Sequence, residues 1–259
     1  MLIRQHIKKY TAACDLNHID VSRITSMNNL FADSPFNGDI SKWDVSRVTN
    51  MEKMFYLSVF KGNISDWNVA CVKNMDSMFS GSSFQNDVSR WNTSHVTSMD
   101  SMFQASKFNG DISLWNVGAC TNFSAMFTAS AFNQPLSQWD MQSAQKVNHM
   151  FHNSLFANDV SAWHLPLSCN MWCLFDKCNN TMALQSSADW HAKLYLDNGS
   201  LPSSGLLLEA FLELNSIHDA LGCSNEERAR DLVQAVVAKR KGKVAGPLEG
   251  ESWALPELM

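Results

Sequence analysis

Residues 40–63 read ISKWDVSRVTNMEKMFYLSVFKGN, and the pattern of this stretch returns every 24 residues along most of the chain. Tryptophan stands at 43, 67, 91, 115, 139 and 163. Phenylalanine stands at 31, 55, 79, 103, 127, 151 and 175, and again at 36, 60, 84, 108, 132 and 156, with methionine at 54, 78, 102, 126 and 150. Taking the aliphatic residues Leu16, Ile40, Ile64, Val88, Ile112, Leu136 and Val160 as the first position gives seven units, from residue 16 to about 183. One unit of this length cannot bury its own apolar face, whereas stacked units bury a continuous column. The period therefore predicts a repeat solenoid with Trp, Met and Phe in its core. At the ~4.8 Å spacing of paired strands, seven coils make a rod roughly 30 Å long.

Within the quoted unit, Ile40, Trp43 and Val45 follow an L-x-x-L-x-L spacing, which predicts a short strand lining one face of the coil. Thr49 or Asn50, with Glu52 following, reads as a helix N-cap, and Met51, Met54 and Phe55 at i, i+3 and i+4 predict a short helix or 3₁₀ turn. Ser58, Phe60 and a Gly/Asn/Asp cluster close the unit. The expected architecture is leucine-rich-repeat-like: one short parallel strand and one short helical turn per coil.

The apolar columns also explain an odd composition. Of 259 residues, 45% are hydrophobic and 17% charged, with 9 Trp, 15 Phe and 14 Met against 3 Tyr. Six of the Trp and thirteen of the Phe stand in the repeating columns, as a packed core requires and a single cofactor box does not. The net charge of −5 and pI near 5.9 argue against a nucleic-acid partner, which calls for excess Lys and Arg. No apolar run reaches the roughly 18–20 residues of a membrane span, so none is expected. The start, MLIRQHIKKYTAAC, scatters cations where a Sec signal has an apolar stretch. Cys14, Cys71, Cys120, Cys169, Cys173, Cys178 and Cys223 are odd in number and irregular in spacing, which suits a reducing compartment. The expected location is cytoplasmic, or outside the cell by a route without a Sec signal.

The pattern D-I-S-x-W-D/N-V-S-x-V-T-x-M-x-x-M-F, seen over Asp39 to Phe55, Asn63 to Phe79 and Asp87 to Phe103, resembles the BspA-type leucine-rich repeats of bacterial surface proteins. The resemblance covers residues 16 to about 175. It implies a repeat solenoid, a surface or secreted location, and a role as an adhesin or protein-binding protein.

Three segments are expected: an N-terminal cap over 1–15, the solenoid over 16–183, and a C-terminal helical module over 184–259. Ile3, Ile7 and Tyr10 share a helical face and predict a capping helix over 2–10. Leu207, Phe211, Leu214, Ile217 and Leu221 predict a helix over 206–221 ending at Gly222. Ser224 with Glu227 opens a second helix, carrying Ala229, Leu232, Val233 and Val236 on one face. This hairpin reads as a cap, a small interaction module or part of a catalytic unit. The tail, 245–259, reads as a flexible segment or a docking peptide.

Residues with chemical potential are few. Cys169, Cys173 and Cys178, with His152 and His164 nearby, lack the paired spacing of structural zinc and read as core and bend positions, so no metal or cofactor is expected. Cys223 precedes a helix start, where a thiol pKa can fall, but no second catalytic element accompanies it. Asp39, Asn63, Asp87, Asp111 and Asp159 recur once per unit and read as bend caps rather than calcium ligands. Asp20, Asp44, Asn68, Asn92, Asn116 and Asp140 read as a surface hydrogen-bonding ladder along the strands. The threonine column Thr25, Thr49, Thr97 and Thr121 is too gapped for an ice-binding plane.

Columns that keep one residue type are explained by folding, and columns that vary are free to encode a partner. The third position reads Lys42, Asp66, Arg90, Leu114, Gln138 and Ala162, and the eighth reads Arg23, Arg47, Cys71, His95, Ala119, Ser143 and Leu167. Charge gives way to apolar character along the rod. The function expected is a non-enzymatic scaffold that binds another protein through its strand face, using Arg23, Lys42, Arg47, Asp66, Arg90, His95, Leu114 and Gln138. Two alternatives stay open: a secreted effector or adaptor whose C-terminal helices recruit a second factor, and an enzyme with its chemistry in the C-terminal 80 residues.

Overall fold

The sequence period becomes a spatial one. Ser26 pairs in parallel with Asn50, Asn50 with Asn74, Asn74 with Ser98, Ser98 with Asn122, Asn122 with Lys146, and Lys146 with Asn170, each partner one unit further along. The structure, a computed structural model, describes residues 12–178 apart from 161, 167 and 176. The capping helix expected over 2–10, the helices expected after residue 205 and the tail over 245–259 lie outside the described residues.

The strand-plus-helix coil expected from the sequence is not what the chain forms. Among the described residues there is no helix, and all the β pairing consists of those isolated bridges. Where a strand was expected over Ile40–Val45, the chain makes two reverse turns: Trp43 N–H donates to Ile40 O (3.1 Å), and Val48 N–H donates to Val45 O (2.9 Å). The cause is local competition for backbone donors. Asp39 Oδ1 accepts from Ser41 N–H (2.9 Å) and Asp44 Oδ1 from Ser46 N–H (3.0 Å), folding the segment into Asx turns where a strand would run straight. The L-x-x-L-x-L spacing still directs Ile40, Trp43 and Val45 inward, and all three are buried.

The expected helix over Met51–Phe55 is replaced by overlapping turns for a different reason. Alternate N–H groups, those of Met51, Lys53, Phe55 and Leu57, donate to Asn74, Asp76, Met78 and Ser80 carbonyls of the next coil at 2.8–2.9 Å. The N–H groups between them, of Met54, Tyr56 and Ser58, donate three residues back, to Met51, Lys53 and Phe55. An α-helix would use the same donors within its own segment. Splitting them between coil and neighbour requires left-handed residues, and Lys53 (φ 53°) and Leu57 (φ 52°) supply them. The same two positions are left-handed in every coil, from Asn29 and Asp33 to Cys173 and Lys177, and only Gly81 among them is glycine. Each non-glycine residue there costs about 1–2 kcal/mol, offset by inter-coil hydrogen bonds that leave few backbone groups unpaired. Asn50, expected as a helix cap, caps a turn: its Oδ1 accepts from Glu52 N–H at 2.8 Å.

The core is the expected one. Phe55 stacks on Phe79 (centroids 5.6 Å, 4°) and Phe60 on Phe84 (6.4 Å, 2°), while within a coil Phe55 and Phe60 lie 4.4 Å apart. Burying a Phe or Met side chain contributes about 1.5–3 kcal/mol. Tryptophan does more than fill space. The Nε1–H of Trp67 donates to Ile40 O of the preceding coil (3.2 Å), and the same bond joins Trp43 to Leu16, Trp91 to Ile64, Trp115 to Val88, Trp139 to Ile112 and Trp163 to Leu136. A Phe or Leu in that column would supply apolar surface but could not make this link.

Candidate functional site

The two variable columns sit at equivalent places. Lys42 and Arg47 are each the third residue of a reverse turn, in the turns closed by Trp43 N–H on Ile40 O and by Val48 N–H on Val45 O. The same turns recur around Asp66, Arg90, Leu114 and Gln138 in the third column, and around Arg23 and His95 in the eighth. All eight residues are exposed, Leu114 most clearly at 85%. The face that carries them is thus a row of turn apexes, and the strand face expected from the sequence does not exist among the described residues. These residues lie in two parallel columns along the stack.

Two features set the electrostatics of this face. The carboxylates beside the turns serve the backbone. The N–H of Ser41 holds the Asp39 carboxyl below its ordinary range, and the N–H groups of Ser89 and Ser113 do the same for Asp87 and Asp111. For Asp20 and Asp44 the hydroxyls of Ser22 and Ser46 act first and their N–H groups second. The second feature is an ion pair between coils. Arg90 Nη2 donates to Asp66 Oδ1 at 2.7 Å, both side chains largely in solvent. His95 Nδ1 lies 3.4 Å from Ser94 Oγ.

The bend-capping role expected for Asp39, Asn63, Asp87 and Asp111 is what the structure shows, each accepting from the N–H two residues on. The surface ladder expected from Asp20, Asp44, Asn68, Asn92, Asn116 and Asp140 is corrected. Each of these caps the second turn of its own coil, at 2.9–3.2 Å, and does not reach the next one. Their side chains are short, and the donor two residues on is closer than anything one coil away.

Of the cysteines, Cys178 fills the bend position held elsewhere by serine, with its Sγ 3.3 Å from Phe156 O. Cys173 is half-buried at a left-handed position. Burial pushes the Cys120 and Cys169 thiols up to about 12, which leaves them protonated and inert at neutral pH. Cys223 lies outside the described residues. Among the described residues, no group of three or more His, Cys, Asp and Glu is placed to hold a metal ion.

One acidic run escaped the sequence reading. Glu52, Asp76 and Asp100 occupy the thirteenth position of consecutive coils. Asp76 Oδ1 accepts from Ser98 Oγ (2.5 Å) and from Asp100 N–H (2.9 Å). Partial burial raises the Asp76 pKa, and the Asp100 and Glu52 charges add to the rise. The signal was present as three acids spaced one unit apart, hidden because the neighbouring coils carry Ser or Asn there.

Comparison with known families matches residues 3–104, and again 80–190, to the family described as "Mycoplasma protein of unknown function, DUF285". The chain belongs to this family. The two DUF285 matches overlap over 80–104, as a repeating sequence allows, and together they reach from the N-terminal residues past the last described coil. No curated protein and no solved structure matches the chain.

Proposed function

We propose that this DUF285 chain is a non-enzymatic scaffold that binds a partner protein through the turn apexes of its third and eighth columns. The observation that supports the reading is the division between columns. Trp, Met, Phe and the turn-capping Asx residues repeat and hold the backbone, while the apex residues vary, are exposed, and make few side-chain bonds, chiefly the Asp66–Arg90 pair and the His95–Ser94 contact. A backbone held by so many repeated bonds orders little on binding, which favours affinity per contact. The likeness of the repeat to BspA-type leucine-rich repeats, whose proteins are generally described as adhesins or protein-binding surface proteins, supports a binding role independently.

The test uses the full chain as bait in native lysate, with captured proteins identified by mass spectrometry. R47E/R90E and L114D are compared with K61E and K107E, exposed sites outside the two columns. Capture lost in the first pair of variants and kept in the second supports the reading. Capture unchanged in R47E/R90E and L114D contradicts it.

A further inference from the structure

Asparagine is followed by glycine at 37–38, 109–110 and 198–199, and the first two pairs hold the same place in the repeat, at the bend that closes a unit. Such a step can react with itself, because glycine carries no Cβ to shield its nitrogen from the asparagine side chain. The sequence gives no reason to rank Asn37 above or below Asn109. The fold does.

The first pair is held. Asn37 N–H donates to Ala12 O at 2.7 Å. Gly38 is buried, so close beneath the preceding coil that a Cβ there would overlap the Cys14 carbonyl oxygen. The main chain on both sides of the Asn37 side chain is thus fixed against its neighbour. The second pair is open. Asn109 is exposed and Gly110 half-buried, and among the described residues neither Asn109 N–H nor Gly110 N–H donates to a backbone carbonyl. The three atoms nearest to a Cβ on Gly110 would all belong to the Phe108 ring of its own coil. Asn109 Oδ1 also accepts from two donors of the next coil, Asn133 N–H at 2.7 Å and Gln134 Nε2 at 3.3 Å. These donors point at the oxygen on which charge gathers when the amide carbon is attacked. Asn37 Oδ1 has one of the two, Lys61 N–H at 2.7 Å.

We propose that Asn109 is a site of self-modification, converting through a succinimide to aspartate and isoaspartate in the folded chain, while Asn37 is kept as the amide. The Gly110 nitrogen attacks Asn109 Cγ. The N–Cγ bond forms, the Cγ–Nδ2 bond breaks, and ammonia leaves with the proton that Gly110 gives up. Water then opens the ring. Addition at Cγ leaves aspartate, and addition at the main-chain carbonyl leaves isoaspartate, in which the backbone runs through the former side chain and gains one methylene. Either product places a new carboxylate two residues from Asp111, in the coil that carries the exposed Leu114. Isoaspartate also withdraws the oxygen that receives Asn133 N–H. The inference stands apart from the choice of recognition surface.

The experiment keeps the full chain in mildly alkaline buffer below its melting temperature and follows each asparagine by peptide mapping with mass spectrometry. Isoaspartate is counted by enzymatic methyl labelling. A second sample is unfolded in guanidinium under otherwise equal conditions. In the folded chain Asn109 is expected to convert at least about tenfold faster than Asn37, which must first open locally. Asn133, whose Oδ1 accepts from Ala157 N–H at 2.7 Å but which is followed by Gln134, is expected to stay unconverted in the folded chain. In guanidinium Asn37 and Asn109 are expected to convert at equal rates, which assigns the difference to the fold. No conversion of Asn109 in the folded chain, Asn37 keeping pace with it, or a preference for Asn109 that survives unfolding overturns the inference.

Discussion

The carbonyl oxygen of Ile64 accepts two hydrogen bonds, one from Trp67 N–H in its own coil (3.2 Å) and one from Trp91 Nε1–H in the next (3.1 Å). The turn that shapes a coil and the bond that joins it to its neighbour thus meet at one atom. Trp91→Phe removes the second bond and leaves a void where the indole was, while the Ile64 oxygen keeps its first partner. Loss of one hydrogen bond plus part of a buried ring is expected to cost about 2 kcal/mol. Chemical denaturation of Trp91→Phe beside Gln138→Ala, an exposed apex substitution expected to stay within about 0.5 kcal/mol, checks this.

The left-handed positions make a prediction of the opposite sign. Ala105 and Ala129 are exposed with φ of 52° and 53°, a conformation glycine adopts without steric cost. Ala105→Gly and Ala129→Gly are each expected to stabilise the fold by about 0.5–1 kcal/mol, the relief of the left-handed penalty less the extra entropy of glycine in the unfolded chain. Gly81→Ala is expected to destabilise, because φ is 63° there and a Cβ would collide with the Leu57 side chain. Thermal melts of the three variants decide the matter.

The turn-capping carboxylates make the fold sensitive to acid. Asp20, Asp39, Asp44, Asp87 and Asp111 all lie below the ordinary value of 3.8 in the folded chain. Their contribution is therefore present above that value and is lost as pH falls through the lower folded values. Asp39→Asn and Asp87→Asn, which copy what Asn63 already does in the same column, are expected to flatten the acid limb of a stability profile with little change at pH 7. An unaltered acid limb would contradict the assignment.

Asp76 runs the other way. Its pKa is raised in the folded chain, so its favourable contribution exists in acid and disappears as pH rises through the folded value. Asp76→Asn keeps an acceptor for Ser98 Oγ and Asp100 N–H while removing a charge beside Glu52 and Asp100. It is expected to stabilise the protein at neutral pH, with the gain shrinking toward pH 4. Parallel denaturation series at the two pH values measure the difference.

How much of this could be read from the sequence depended on which residues carried the signal. Trp67, Met54 and Phe60 were legible as core because burial needs only side-chain type and period, and both are written in the sequence. Asp39 was legible as a bend cap because its partner, Ser41, lies two residues away. The backbone path was not legible. Met51, Met54 and Phe55 face inward at helical spacing, yet a run of turns with left-handed Lys53 and Leu57 presents the same face, and neither residue type announces a positive φ. The donors that decide between the two paths bond to Asn74, Asp76, Met78 and Ser80, a coil away, and no local reading contains them. The apex columns stand out because they vary, and their exposure follows from the turns that form where the L-x-x-L-x-L spacing predicts strand.

Two exposed leucines offer the most direct test that recognition belongs to the apex columns. Leu114 is 85% exposed at the third position of its coil, and Leu155 is 70% exposed at the twentieth position of another. A photo-crosslinking amino acid placed at 114 in one sample and at 155 in the other, with the full chain incubated in native lysate and irradiated, reports which face a partner covers. The account predicts a discrete partner adduct from position 114 and none from position 155. An adduct from 155 alone, or the same adducts from both, would contradict it.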